Sequence, residues 1–135
     1  MTDSQRQSMS DAEREVLKVL WDTGPRTVRE VVDHFATLGQ DWTRSTAITL
    51  LQRLERKGYV DSDKTGHTFV FRAIVSREQV MQARMQDLAG EFCDGDALPL
   101  VLAFASRHQF TADEIARFQK LIDEASANTR KRGGK

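Results

Sequence analysis

Apolar residues recur every three or four positions in three stretches of the first 58 residues, a pattern that predicts three short amphipathic helices. The first helix follows a capping box formed by Ser10 and Glu13, and the second follows an equivalent box at Thr27 and Glu30. Thr43 is the predicted cap of the third helix. The three helices are expected to end at glycine-containing breaks: Gly24-Pro25, Gly39 and Gly58.

After Gly58 the pattern changes from helical to alternating. Val60 leads into one short run, residues 67–72 are rich in β-forming residues, and a turn is expected at 64–66 between them. Three short helices and then a β-hairpin is the order of a winged helix-turn-helix domain, which we place at residues 10–74. The predicted core contains Trp21, Val31, Phe35, Leu50, Leu54 and Phe69.

The rest of the chain is predicted to be helical. A capping box at Ser76 and Gln79 opens one helix, Asp94-Gly95-Asp96 interrupts it, and Asp96 is the expected cap of the next. The box at 111–114 opens the last helix. The fold class is therefore mainly α with a small β-hairpin. Residues 1–8 are expected to form a disordered arm and residues 130–135 a frayed basic tail.

The C-terminal helices carry more apolar surface than a small helical segment could bury by itself. Burial against a second copy of the chain is the expected solution, since cyclic dimers are the commonest oligomers. We therefore predict a helical dimerisation region at residues 76–127. Its predicted interface consists of Leu98, Val101, Leu102, Phe104, Ile115, Phe118, Leu121 and Ile122.

The third helix has a polar face opposite its apolar stripe. Short hydroxyl side chains near its start would let the helix approach base edges in the major groove, and longer donors follow. Residues 42–60 also carry a net charge of +3, although the whole chain has 20 basic and 20 acidic residues. A local basic patch of this kind suits phosphates. The predicted DNA-binding residues are Arg44, Ser45, Thr46, Thr49, Arg53, Arg56 and Lys57, with Lys64 and His67 at the tip of the wing.

Each of these features also has a plain structural interpretation. The polar face of the third helix could be a solvated surface whose basic residues favour the helix dipole, and the hairpin tip could be an ordinary polar turn. The hairpin directly after this helix makes us favour DNA binding. A winged-helix module that binds a protein instead of DNA stays an alternative.

Composition and motifs exclude several other classes. Cys93 is the single cysteine, so neither a disulfide framework nor a multi-thiolate zinc site is possible within one chain, and the three histidines fall on different predicted elements. We find no phosphate-binding loop and no nucleophile motif. The sequence also shows no signal peptide and no membrane span. We predict a cytoplasmic protein that is not an enzyme and needs no cofactor or metal.

The chain resembles the BlaI/MecI penicillinase-repressor family over most of residues 10–125. The resemblance rests on the segments at 10–21, 27–31 and 42–60, and it extends more weakly through the C-terminal helices. It implies a homodimeric winged-helix repressor that binds a palindromic operator. By position, Ser45, Thr46 and Arg53 match family residues that contact DNA. Ile48 departs from the polar or basic residues common there, so a different base sequence is expected.

The family resemblance also implies how the repressor is released from DNA, through cleavage by a partner membrane metalloprotease. Residues 101–104 occupy the place of the family's Val-Leu-Asn-Phe cleavage segment, with Ala103 replacing asparagine. A packed dimer helix is the favoured interpretation of this segment, and cleavage between Ala103 and Phe104 is the alternative. A regulator that responds to a small molecule, or to an oxidant at Cys93, is a second alternative.

Overall fold

The structure, a computed structural model, describes residues 8–133. Within this range the elements follow the order α1 (Asp11–Thr23), β1 (Arg26–Thr27), α2 (Val28–Thr37), α3 (Arg44–Arg56), β2 (Val60–Asp63), β3 (Val70–Ala73), α4 (Arg77–Phe92), α5 (Leu98–Arg107) and α6 (Ala112–Gly133). The chain divides between Gly95 and Asp96 into two compact units. The first unit includes α4, so this structural division lies later than the predicted functional boundary at 74–76, which stays a prediction.

Side-chain caps determine where the helices begin, as predicted, except at α5. There Ala97 and not the predicted Asp96 is the cap residue, although the Asp96 carboxylate accepts from the Leu98 amide at 3.1 Å. At the start of α1 the Ser10 hydroxyl accepts a hydrogen bond from the Glu13 amide at 3.2 Å, and the Glu13 carboxylate accepts one from the Ser10 amide at 2.9 Å. Thr43 caps α3 by accepting from the Thr46 amide at 3.1 Å. Reciprocal boxes are also present at Thr27 with Glu30, Ser76 with Gln79, and Thr111 with Glu114.

The sheet contains one strand more than the sequence predicts. Its order is β1-β3-β2, and both strand pairs are antiparallel. In β1, Thr27 pairs with Val70 and at the same time caps α2. This strand has only two residues, too few to show an alternating pattern. The wing hairpin is shorter than predicted, because β3 begins at Val70 and residues 67–69 belong to the loop.

The core of the first unit differs from the prediction at one aromatic residue. Phe71 is 2% exposed in β3, whereas Phe69 is 42% exposed. The sequence predicts Phe69 in the core as part of the β-forming run at 67–72. Because β3 begins only at Val70, Phe69 lies in the loop before the strand, and the alternation of inward positions along the strand does not reach it. The predicted burial of Val31, Phe35, Leu50 and Leu54 is confirmed, and Trp21 packs half-buried against them.

The start of α4 is tied to the end of α1 within the first unit. The indole of Trp21 donates to the Val75 carbonyl oxygen at 2.8 Å, and the Arg77 guanidinium lies 5.3 Å from the Trp21 ring centroid. Arg77 also contacts the Asp22 carboxylate at 2.6 Å. The predicted break after α4 is confirmed, with Asp94 and Gly95 both at positive φ.

The second unit is a pair of helices joined by an aromatic cluster. His108 stacks on Phe104 at 5.1 Å between ring centroids and meets Phe110 edge-on at 4.5 Å, and Phe110 lies 6.2 Å from Phe118. The prediction of a frayed basic tail at residues 130–135 is partly wrong, because α6 continues to Gly133. Residues 1–7 of the predicted arm and residues 134–135 lie outside the described part of the chain. Across residues 8–133, no helix has both the length and the apolar character needed to cross a membrane.

Candidate nucleic-acid interface

The outward face of α3 is held in place by the apolar residues behind it. Ala47, Leu50, Leu51 and Leu54 are all buried, at most 6% exposed. Because an α-helix turns 100° per residue, burying this stripe directs the opposite side chains to solvent. The exposed residues of the α3 outward face are Arg44, Ser45, Thr46, Thr49, Gln52, Arg53 and Arg56.

The first turn of this helix is fixed by local contacts. The Thr43 hydroxyl lies 3.1 Å from the Thr46 hydroxyl, in addition to capping its amide. Immediately before the cap, Trp42 stacks on Phe35 of α2 with 4.1 Å between ring centroids. The hydroxyl groups near the start of α3 therefore stand on a rigid turn, as close approach to base edges requires.

Lys57, one of the predicted DNA contacts, makes an ion pair inside the first unit. Its ammonium lies 2.7 and 2.8 Å from the two carboxylate oxygens of Glu13, and it also donates to the Ser8 carbonyl oxygen at 3.1 Å. Glu13 is 1% exposed, so the ammonium neutralises a buried carboxylate. Lys57 therefore holds the end of α3 against α1, and we infer that this contact, and not DNA, occupies its ammonium group.

The charge state of Glu13 reflects these contacts. Burial raises the pKa of its carboxyl group, but the hydrogen bonds from Lys57 and Ser10 outweigh burial and hold the pKa below the ordinary value. The Glu13 carboxyl group is thus ionised at neutral pH. Sequence reasoning assigned Glu13 only to the cap, because nothing in the local pattern joins residues 44 positions apart.

A second contact ties α3 to the wing. The Ser62 hydroxyl of β2 donates to the Glu55 carboxylate at 2.6 Å. Glu55 is the only acidic residue of α3, and this bond holds it at the sheet, away from the outward face. The exposed charges of the α3 outward face are therefore those of Arg44, Arg53 and Arg56.

The wing tip is polar and carries one basic group. Asp63 accepts from both the amide and the hydroxyl of Thr65, at 2.9 and 2.7 Å, and these bonds lower the pKa of Asp63. The Lys64 ammonium lies 5.7 Å from the centroid of the Phe69 ring. Lys64 and His67 are both exposed, as the DNA-binding prediction requires.

An open cleft of about 360 Å³ separates α3 from the wing loop. It brings Arg44 and His67 together with a basic residue that sequence reasoning missed, Arg29 in the first turn of α2. The short strand β1 places this turn beside the wing. Arg29 was missed because β1, with only two residues, shows no pattern in the sequence. The cleft is lined by Val28, Arg29, Arg44, Ile48, His67, Thr68 and Phe69.

The predicted dimer residues lie on the surface of the second unit. All eight are at least 36% exposed in the single chain, and Phe104 is 64% exposed. Ala103 and Phe104 belong to a regular turn of α5, where the Ala103 carbonyl oxygen accepts from the Ser106 hydroxyl at 3.0 Å. Proteolysis concentrates in exposed loops and termini, so a regular helical turn disfavours cleavage at this position.

The described part of the chain contains no candidate metal site. Residues 8–133 contain no group of three or more histidine, cysteine or acidic side chains that could hold a metal ion. Cys93 is a half-buried free thiol at the end of α4.

A helix-turn-helix whose third helix exposes hydroxyl and guanidinium groups, next to a hairpin with a basic tip, defines a winged-helix DNA-binding protein. The model of the penicillinase repressor family matches residues 9–124. The chain belongs to this family, and it is a DNA-binding transcriptional repressor.

Individual relatives agree with this assignment. The penicillinase repressor of Bacillus licheniformis is 28% identical over 116 residues, which cover 86% of this chain and 90% of the relative. The methicillin resistance regulatory protein MecI of Staphylococcus aureus (strain N315) is 23% identical over 122 residues, which cover 90% and 98%. Among solved structures, the complex structure of hsRosR-S4 matches with a TM-score of 0.51 and 12% sequence identity. The match covers 94% of this chain and 96% of the hsRosR-S4 chain, and it shows a similar fold.

Proposed function

We propose that the chain binds a palindromic DNA operator as a homodimer and represses transcription by occupying a promoter. The observation that carries this proposal is the α3 outward face, where hydroxyl groups at the start and guanidinium groups along the helix are fixed by a buried stripe and two side-chain contacts. A helix of this kind fits the major groove of B-DNA.

The DNA contacts divide into two groups. Ser45, Thr46 and Thr49 are exposed at the first turns of α3 and are assigned to base edges. The arginines of α3 and the wing residues Lys64 and His67 are assigned to phosphates, because they border the base-reading side chains. Arg29 joins this second group through its place in the cleft.

Dimer formation is supported by the surface of the second unit. An exposed cluster of large apolar side chains is unfavourable in water and is typical of an interface. Two copies related by a two-fold axis would present two α3 helices to an inverted repeat. One copy alone would make too few phosphate contacts to compete at physiological salt.

Release from the operator is proposed to act through the dimer. Cleavage between Ala103 and Phe104 by a partner membrane metalloprotease would remove α6 and most of the interface. A small molecule, or oxidation of Cys93, would instead have to change the geometry of the dimer interface. We place the protein in the cytoplasm, with no catalytic activity.

The experiment that tests this proposal is selection from a library of randomised DNA duplexes by the full chain, repeated at two salt concentrations. We expect recovery of an inverted repeat whose half-sites lie about one helical turn, or a multiple of it, apart. Recovery of unrelated sequences that bind only at low salt would overturn sequence-specific repression and favour a protein-interaction role.

A further inference from the structure

One residue of α3 does not match the polar character of its neighbours. Ile48 is half-buried and packs partly against the core, and its remaining surface lines the cleft between α3 and the wing. It follows buried Ala47 by one residue, which puts it on the flank of the helix between the core and the α3 outward face.

The surroundings of Ile48 are those of a binding groove and not of a closed core. Phe69, 42% exposed, lines the same cleft from the wing. Arg29 and Arg44 lie at the cleft as well, so an apolar patch is flanked by two cations in an open groove. Apolar surface held between cations suits a ligand that offers a small apolar group next to phosphates.

A DNA major groove offers one apolar group, the 5-methyl of thymine, among hydrogen-bond donors and acceptors. We propose that Ile48 reads a thymine methyl, while Arg29 and Arg44 hold the adjacent phosphates. This inference rests on the proposed operator binding. It requires a thymine at one fixed position in each half-site, and therefore two related thymines in the inverted repeat.

The test replaces thymine by uracil, one position at a time, in the selected duplex, because uracil lacks only the methyl group. For the wild-type chain, uracil at one symmetric position is expected to weaken binding about fourfold per half-site. This is the effect of losing the contact with one buried methyl group. Ile48→Ala is expected to bind the thymine and uracil duplexes equally at that position. Affinity is measured by fluorescence anisotropy.

Two variants separate methyl recognition from packing. Ile48→Val keeps a branched apolar side chain and is expected to retain the preference for thymine. Ile74→Ala removes the same side chain at the base of the wing, where it is 50% exposed, and is expected to leave the preference unchanged. Thermal unfolding confirms that each variant is folded.

The outcomes distinguish this inference from the function on which it rests. If wild-type binding is specific but indifferent to every uracil, or if the preference survives in Ile48→Ala, methyl recognition by Ile48 is overturned while repression stands. If the wild-type chain selects no duplex, both fall together.

Discussion

Lys57 shows how one contact between distant parts of the chain can change the role expected for a residue. In the sequence it is one of four basic residues between positions 42 and 60, and its charge alone favours DNA. In the structure its ammonium lies against the buried carboxylate of Glu13. A salt bridge of this kind depends on two segments far apart in the chain, so no local pattern could predict it.

Loss of the Lys57 ammonium is expected to destabilise the fold. Lys57→Met leaves the Glu13 carboxylate buried without its partner, which costs about 3 kcal/mol in the free energy of unfolding. Denaturant unfolding measures this change. The double variant Glu13→Gln/Lys57→Met is expected to recover most of the loss, because no buried charge remains.

The matched control is Lys18→Met. Lys18 also pairs with a glutamate, Glu15, at 3.6 Å, but both side chains are 48% exposed, so the expected change is below about 1 kcal/mol. If both substitutions lower the free energy of unfolding by the same amount, burial of the Glu13–Lys57 pair does not add to stability.

Folded Lys57→Met is expected to keep the DNA affinity of the wild-type chain.

Phe69 and Phe71 mark a second limit of prediction from single residues. Both lie in the β-forming run at 67–72, from which Phe69 is predicted in the core, but the run does not show where the strand begins. Pairing of β3 with both β1 and β2 starts at Val70 and decides which phenylalanine is buried. The exposed one then contributes to the cleft on the proposed DNA-binding side.

At the scale of elements, the helices of the first unit follow from the sequence and the sheet only in part. Helix starts are local events, decided by caps such as Thr43 and by periodic apolar residues, so they were predicted correctly. Strand β1 depends on pairing with a strand more than 40 residues away, which local patterns do not reveal. The faces of α3 were predicted, whereas the cleft beside it was not.

Removal of the α3 cap is expected to affect both stability and recognition. Thr43→Ala leaves the Thr46 amide without its acceptor and costs about 1 kcal/mol in the free energy of unfolding. Because Ser45 and Thr46 lie in the freed turn, discrimination between the selected duplex and random DNA is expected to fall. Unfolding curves and competition binding measure the two effects.

Thr129→Ala is the control for this prediction. Thr129 is exposed on α6, and its hydroxyl donates to the Ala125 carbonyl oxygen at 2.9 Å without capping a helix. Neither stability nor discrimination is expected to change by a measurable amount. A Thr43→Ala protein with unchanged discrimination would contradict the proposed role of the first turn of α3.

At the scale of the whole molecule, the sequence indicates that a second copy is needed. Eight apolar residues of α5 and α6 were assigned to an interface because one chain could not bury them, and all eight are exposed in the single chain. Their exposure supports the dimer proposal. Which signal releases the dimer depends on partners that the sequence of one chain does not encode.

A charge placed in this surface is expected to prevent dimerisation. Leu102 is 58% exposed in the single chain, so Leu102→Asp leaves each unit folded but puts a carboxylate into the proposed interface. Light scattering is expected to give the monomer mass. Leu38→Asp, at a 64% exposed position in the first unit, is expected to remain dimeric. A dimeric Leu102→Asp protein would place the interface elsewhere.

The most direct test of the central claim, that the α3 outward face binds DNA, is the salt dependence of affinity for the selected duplex. Each phosphate contact contributes about 0.9 to the slope of log K against log salt. For Arg53→Ala in a dimer, we predict weaker binding and a slope reduced by about 1.8, while Arg14→Ala on α1 matches the wild type. An unchanged slope for Arg53→Ala, or an equal reduction for Arg14→Ala, would contradict the account.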